Sequence, residues 1–379
     1  MGWDKFVRAF GRPAEGCWAA PGRVNLIGEY TDVNDGHVLP FAISRVTRVW
    51  AGRRADRRLG LSSGQDGATL DVAIDDGSPV AGWVAYPRGV ALALQGRGHP
   101  VGGADLLVDS DVPIGAGLSS SAALECSVGL ALSSLYGFEL APLEMAQVAQ
   151  QAENDYVGVP CGIMDQAASM CARGGHALLI DTRSLATEHL PFDLAVAGLS
   201  LIVFETGVKH DLVGSGYANR RRACAEAARL LGVGALRDVP AEDVDEVVER
   251  LGRSGEPTLA RRARHVLTEE ARVLSVAALL RQRRLREVGP LLTKGHESLR
   301  DDFEVSCAEL DTVVEAAITA GALGARLTGA GFGGSAIVLV EEAAVGAVTD
   351  AVEAGYRARG WPPPRRLTVV PSDGAHREA

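Results

Sequence analysis

Through the first half of the chain, short apolar runs of strand length alternate with longer runs in which apolar residues recur at helical spacing. Val24, Leu26 and Ile27 make a strand-like run that carries Arg23 at its start and stops at Gly28. Residues 38–43 and 106–108 are further short apolar runs read as strands, and Pro40 inside the first predicts an edge strand or an irregular one. Residues 118–135, rich in Ala, Ser and Leu, predict a helix whose start suits Ser119, Ser120 and Ser121. Pro142 opens another helix, with Met145, Val148, Ala149, Ala152 and Tyr156 at helical spacing and Gly158 as its stop. Residues 176–181 and 199–204 read as strands, and a domain boundary is placed between them, giving an N-terminal domain of 1–195 and a C-terminal domain of 196–379.

The second half is more helical. Ser306-x-x-Glu309 is a capping-box pattern ahead of Leu310, Val313, Val314, Ala317 and Ile318, with Gly321 as the end of that helix. Residues 325–328 and 335–340 read as strands on either side of a glycine-rich loop, and the polar tail from Pro371 is expected to fray. A chain of 379 residues, near half of it hydrophobic, can form two such domains around real cores, and the whole reads as a mixed α+β protein.

Charge narrows the partners. The formal charge is −10 and lysine occurs only at Lys5, Lys209 and Lys294, so neither nucleic acid nor an anionic membrane is an expected partner. Arg220-Arg221-Arg222 is too short to change this and reads as a helix surface. The charged N-terminus lacks a long apolar core, so no signal peptide is expected, and no segment is apolar enough to span a membrane. Six scattered cysteines without a Cys-x-x-Cys pair suit reduced thiols in a cytoplasmic protein.

After Gly28 come Glu29, Asp32, Asn34 and Asp35. Carboxylates held at the end of a rigid strand can accept hydrogen bonds from the hydroxyls of a polyol or sugar. Alone, the turn is better read as solvated surface acids. Arg23 weighs against that, because an arginine among strand apolars usually has a partner.

The run Pro113-Ile-Gly-Ala-Gly-Leu-Ser-Ser-Ser-Ala-Ala-Leu-Glu is a phosphate-loop candidate: glycines let backbone N–H groups converge on an anion, and the helix that follows adds its dipole. It is not a Walker A loop, since no lysine follows the last glycine, and protein-kinase signatures are absent. Thr328-Gly-Ala-Gly-Phe-Gly-Gly-Ser contains a formal Gly-x-Gly-x-x-Gly, but a strand follows where a dinucleotide fingerprint needs a helix. Asp165, in Pro160-Cys-Gly-Ile-Met-Asp-Gln, is either a core hydrogen-bond acceptor or a catalytic carboxylate, and the residues alone leave both open. Glu153, near the end of its helix, is badly placed for the dipole and so is expected to meet a cation. Phosphoryl transfer from ATP to a hydroxyl can use every one of these parts.

Taken together, these motifs resemble the galactokinases of the GHMP small-molecule kinase superfamily over essentially the whole length. The resemblance rests on Pro21-Gly-Arg-Val-Asn-Leu-Ile-Gly-Glu, the 113–125 run, Pro160-Cys-Gly-Ile-Met-Asp-Gln, His176-Ala-Leu-Leu-Ile-Asp, Val208-Lys-His, Tyr217 before the arginine triplet, Ser298-Leu-Arg-Asp-Asp-Phe-Glu-Val-Ser-Cys and Thr328-Gly-Ala-Gly-Phe-Gly-Gly. It implies two α/β domains with the active site between them, and an ATP- and Mg²⁺-dependent phosphorylation of the anomeric hydroxyl of α-D-galactose; a monomer is expected. By matching position, Asp165 would orient or deprotonate that hydroxyl with Arg23 in support. Glu29, Tyr30, Asp32, Gly162 and Tyr217 would stand at the sugar. Gly115, Ala116, Gly117, Leu118, Ser119, Ser120 and Ser121 would wrap the ATP phosphates, with Ser121 and Glu153 on Mg²⁺, and Trp83 and Tyr86 would flank the adenine, although both could equally be core aromatics.

Three residues depart from the family pattern: Tyr30 stands for histidine, Val33 for tyrosine and Ser335 for cysteine. Tyr30 is bulkier than histidine and does not become a cation near neutral pH, so the alternative expectation is a sugar 1-kinase with shifted preference at C6 or C2. A sugar sensor without catalysis is a third reading. The residues required for catalysis, Ser121-Ala122 included, are all present and favour the enzyme.

Overall fold

The computed structural model describes residues 2–64, 68–78, 80–208, 215–253 and 255–378, so Lys209 and His210 of the Val208-Lys-His motif lie outside the described residues. In chain order the strands are β1 (Gly16–Asn25), β2 (His37–Val38), β3 (Pro40–Arg53), β4 (Arg58–Ser63), β5 (Thr69–Ala73), β6 (Ala104–Ser110), β7 (His176–Asp181), β8 (Thr187–Pro191), β9 (Leu199–Glu205), β10 (Gly324–Thr328), β11 (Ser335–Glu341), β12 (Arg365–Val369) and β13 (His376–Arg377). They form a six-stranded sheet in the order β13-β1-β3-β6-β4-β5, a four-stranded sheet β10-β11-β9-β12 and a three-stranded sheet β2-β7-β8. Among the described residues only the β4–β6 pairing is parallel, so the fold is mixed α+β, as the sequence pattern predicts.

Helices Ala85–Gly96, Ser120–Leu135, Pro142–Gln151 and Met164–Cys171 bury their apolar faces with the first sheet in one core. A second core gathers the four-stranded sheet with helices from residue 215 onward. A third joins the two halves, bringing Val24, Leu26, Ile27 and Phe41 onto Val203, Val273 and Ile337. Truncating one of its fully buried aliphatics to alanine costs about 2–5 kcal/mol.

Several sequence expectations are corrected. β3 is a central strand between β1 and β6. The edge alternative therefore fails and the irregular one holds: Pro40 is the first residue of the strand, opposite Asn25, the run 38–43 breaks between β2 and β3, and the register with β1 shifts between the Val46 and Ala42 pairs. The capping box does not form: Ser306 Oγ donates to Asp311 Oδ1 at 2.5 Å, and helix Ala308–Thr319 begins after Cys307 without a side-chain cap. Tyr156 and Ile318 lie exposed, off the buried faces to which their spacing assigns them. Arg221 and Arg222 are exposed on helix Ser215–Leu231 as read, but Arg220 is half-buried and donates to the Phe303 and Glu304 carbonyls. The tail does not fray: Ser372 N, Gly374 N and Ala375 N donate to Ala42 O, Ala172 O and Ser169 O, and β13 pairs with β1 opposite Trp18 and Ala19.

Candidate active site

Every residue of β1 is buried. A register shift between Pro21 and Arg23 interrupts its pairing with β3, and there Arg23 N bonds to Leu118 O at 3.1 Å. The bend delivers the Arg23 side chain to the centre of a pocket. Its Nη1 donates to Gly117 O at 2.6 Å, while Nε and Nη2 both donate to Asp165 Oδ1, at 2.9 and 2.6 Å. Asp165 lies in the first turn of helix Met164–Cys171, where the dipole favours an anion, and its Oδ2 accepts the Ser119 hydroxyl at 2.6 Å. About a quarter of the Asp165 side chain (26%) stays open to the pocket against 5% for Arg23, so the carboxylate faces a ligand and the guanidinium stands behind it.

The acidic turn forms the facing wall. Gly28 has φ 108° and Tyr30 φ 68°, a left-handed pair that folds residues 28–36 back on themselves. Asp32 points inward, with Oδ1 on Val33 N at 3.0 Å. Burial, then the charge of Asp165, pushes its carboxyl up to about 6. Gly162 leaves the space for it, since a Cβ there would overlap Asp32 Oδ2. The Tyr30 ring lies 5.3 Å from that of Tyr217 and 4.5 Å from that of Phe303, and its hydroxyl donates to Ala330 O at 2.5 Å. Glu29 also borders the pocket, with Arg326 as its ion partner and Gly329 N on its Oε1 at 3.3 Å. Burial pushes its carboxyl up to about 7.

Between these walls runs the 113–121 loop. Gly115 (φ 78°), Gly117 (φ 74°) and Ser119 (φ 60°) turn it before helix Ser120–Leu135, which has no acidic residue in its first turn to compete for an anion. The two glycine loops nearly touch, and a Cβ on Gly329 would stand 3.1 Å from Gly117 O. Ser121 meets Glu153, which sits on a π-helical stretch, Ala152–Val157, continuing helix Pro142–Gln151. Glu153 is buried and has no cationic partner among the described residues; Gln166 Nε2 at 2.7 Å and Cys161 Sγ at 3.5 Å are its neighbours. Burial, then Asp165, pushes its carboxyl up to about 7. A hard oxygen pair that lacks a cation fits a divalent ion that keeps waters and phosphate oxygens as its other ligands. Trp83 and Tyr86 are half-buried and line a second cavity with Val108, Ile114 and Leu124, beside Ser120 and Ser121.

The structure thus brings Arg23, Glu29, Tyr30, Asp32, Glu153, Gly162, Asp165, Tyr217 and the phosphate loop around one pocket, except that Ala116 is fully buried behind the loop with its carbonyl on Ser335, and places Trp83 and Tyr86 in the neighbouring pocket. Sequence reasoning missed Gln166, which donates to both Glu125 and Glu153, and Arg326, which is fully buried beneath Glu29. Arg326 carries the same signal as Arg23, an arginine among strand apolars.

Residues 4–53 match the galactokinase galactose-binding signature, residues 85–173 the GHMP kinases N terminal domain and residues 276–358 the GHMP kinases C terminal model. The chain is 51% identical over 377 residues to a galactokinase of Streptomyces coelicolor, covering 99% of this chain and 97% of that one. It is 45% identical over 364 residues to a galactokinase of Chloroflexus aggregans, covering 93% and 91%. The crystal structure of Lactococcus lactis galactokinase complexed with galactose superposes with a TM-score of 0.93 at 34% identity, over 99% of this chain and 98% of that one. Methanococcus jannaschii mevalonate kinase shares the fold, with a TM-score of 0.66 at 20% identity over 94% and 98% of the two chains. The near full-length identity to galactokinases accompanies a carboxylate–arginine pair beside a glycine-rich loop at a helix start, and the chain is a sugar kinase that belongs to the galactokinase family.

Proposed function

We propose that the chain transfers the γ-phosphoryl group of ATP to the anomeric hydroxyl of α-D-galactose, giving galactose 1-phosphate. The observation that carries this reading is the Asp165 carboxylate, held through one oxygen by Arg23 and facing the pocket beside the phosphate loop. Asp165 receives the anomeric hydroxyl, orienting it or taking its proton. Arg23 keeps the carboxylate in place and adds positive charge where the transferred group develops negative charge. Glu29, Tyr30, Asp32, Gly162 and Tyr217 surround the sugar, and the N–H groups of residues 115–121 hold the phosphates.

A divalent cation accompanies ATP in this reaction, and we assign it as Mg²⁺, held by Ser121 and Glu153 and supplying neutralisation of phosphate charge. Trp83 and Tyr86 flank the adenine. We read residues 1–195 and 196–379 as the two domains and the working unit as a monomer. Six unpaired cysteines suit the cytoplasm, and among the described residues no helix is long and apolar enough to cross a membrane. Phosphorus NMR of a galactose and MgATP reaction tests the reading: a new C1 phosphomonoester is expected, and none with Asp165→Ala. Phosphorylation at another carbon would overturn it.

A further inference from the structure

The reaction described above leaves a buried ion network unused. Arg326 stands in β10, fully buried, two residues before the glycine-rich loop. Its Nη2 donates to Glu29 Oε2 and, at 2.7 Å, to Glu269 Oε1. Glu269 belongs to helix Pro257–Arg281 and is itself pinned: Oε1 also accepts Gly28 N at 2.9 Å, and Oε2 accepts Arg272 Nε at 2.7 Å. Burial would raise the Glu269 carboxyl, but Arg326 and Arg272 outweigh it and hold it well below the usual carboxylate range. Glu29 is therefore the variable member, a carboxylate at the pocket wall whose cationic partner is Arg326.

Burying such a group for stability alone is poor economy, since a buried ion pair is often matched or bettered by apolar packing. What the network achieves is direction. Gly329 N, on the loop that Arg326 precedes, approaches Glu29 Oε1, and His265 Nε2 lies 3.2 Å from the Glu29 carbonyl. One carboxylate is thereby fixed by β10, the glycine loop and the long helix together.

We propose that Arg326 is a positioning residue of the sugar site: bridging Glu269 to Glu29, it fixes the direction and charge of the Glu29 carboxylate at the pocket wall. This rests on the reading above that Glu29 meets the sugar. Gly295 belongs to the same device. It faces Arg326 Nη1, which has no hydrogen-bond partner among the described residues, and a Cβ there would overlap that nitrogen.

The test is steady-state kinetics, with calorimetric galactose binding, on Arg326→Met, Arg326→Lys, Gly295→Ala, Glu29→Gln and the Glu29→Gln/Arg326→Met double variant. Arg326→Met should raise the galactose KM and Kd about tenfold or more, the scale of losing a hydrogen bond to a charged group, with the ATP KM within about twofold. Arg326→Lys should restore part of the loss, and the double variant should bind galactose no worse than Glu29→Gln alone. If Arg326→Met does not fold, Gly295→Ala supplies the same displacement with the charge retained and should show the same selective rise. The proposal is overturned if the folded variants keep a normal galactose KM, if ATP and galactose are lost alike, or if the effect of Arg326→Met is undiminished in the Glu29→Gln background. A normal galactose KM in Glu29→Gln would instead remove the sugar contact of Glu29, and the inference with it.

Discussion

Arg23 meets Asp165 through a single oxygen. Both Nε and Nη2 bond to Oδ1, at 2.9 and 2.6 Å, which leaves Oδ2 to Ser119 and to the pocket. Arg23 thus holds one carboxylate oxygen, and the other accepts the Ser119 hydroxyl. Asp165→Ala should lower kcat by ~10²-fold or more without unfolding the chain, the usual scale for a positioned acid–base group. Arg23→Lys keeps the charge and loses the planar fork, so kcat should fall about tenfold or more while the galactose KM changes little. A lysine variant with normal turnover would show that charge alone suffices.

Gly162 and Asp32 share a space with no room for a methyl group. The overlap of a 162 Cβ with Asp32 Oδ2 must be relieved by turning the Asp32 side chain away from its place in the wall. Gly162→Ala should therefore raise the galactose KM about tenfold or more, as expected when a charged hydrogen-bond partner is displaced, and leave the ATP KM unchanged. A fall in ATP affinity of similar size would place Gly162 in the nucleotide site instead.

What singled out Arg23, Asp165 and the loop serines in the sequence is local, whereas Gly162 came only from the family resemblance. Arg23 sits among strand apolars, Asp165 in a glycine-bounded loop, and the serines of the phosphate loop directly before a helix. Arg326 shows the signal of Arg23, yet its meaning lies in Glu269 and Glu29, respectively 57 and 297 residues away, and no spacing rule connects them. The tail was misread for a similar reason. Its polarity matches a frayed end, but its order comes from pairing with β1 and from Arg377 lying 5.4 Å over the Trp18 ring. The capping box failed on a competition within one turn, where Asp311 takes the Ser306 hydroxyl.

Asp32 sets opposite pH dependences for stability and for binding. Its carboxyl is raised to about 6 by burial and by Asp165, against about 3.9 in an unfolded chain. The folded state holds that proton more tightly, so its stabilising contribution is complete below about pH 4 and is lost as pH rises through about 6. Without ligands, Asp32→Asn should stabilise the chain at pH 8 by on the order of 1–2 kcal/mol and change little at pH 4. In the proposed site galactose affinity should run the other way, because the ionised carboxylate is the better acceptor, so the galactose KM should rise as pH falls through about 6. Thermal melts and KM measured across pH 4–8 check both, and a variant destabilised at pH 8 would contradict the assignment.

Tyr30 has already spent its hydroxyl. Burial raises its pKa, so it remains a donor, and it donates to Ala330 O at 2.5 Å. The ring packs between Tyr217 and Phe303, so in the proposed site this wall offers the sugar an aromatic surface. Val33, the neighbouring departure from the family pattern, packs on the same core cluster as Tyr30 and Phe303. Galactose should accordingly be the best substrate by kcat/KM in a panel with 2-deoxygalactose, N-acetylgalactosamine, D-fucose and arabinose. Tyr30→Phe keeps the ring and removes only the tie to the glycine loop. It should change the D-fucose to galactose ratio of kcat/KM by less than about threefold, well below the discrimination given by a hydroxyl that a site is built to bind. A larger change would place the Tyr30 hydroxyl on the sugar's C6 end, and a better substrate than galactose would overturn the identity of the sugar.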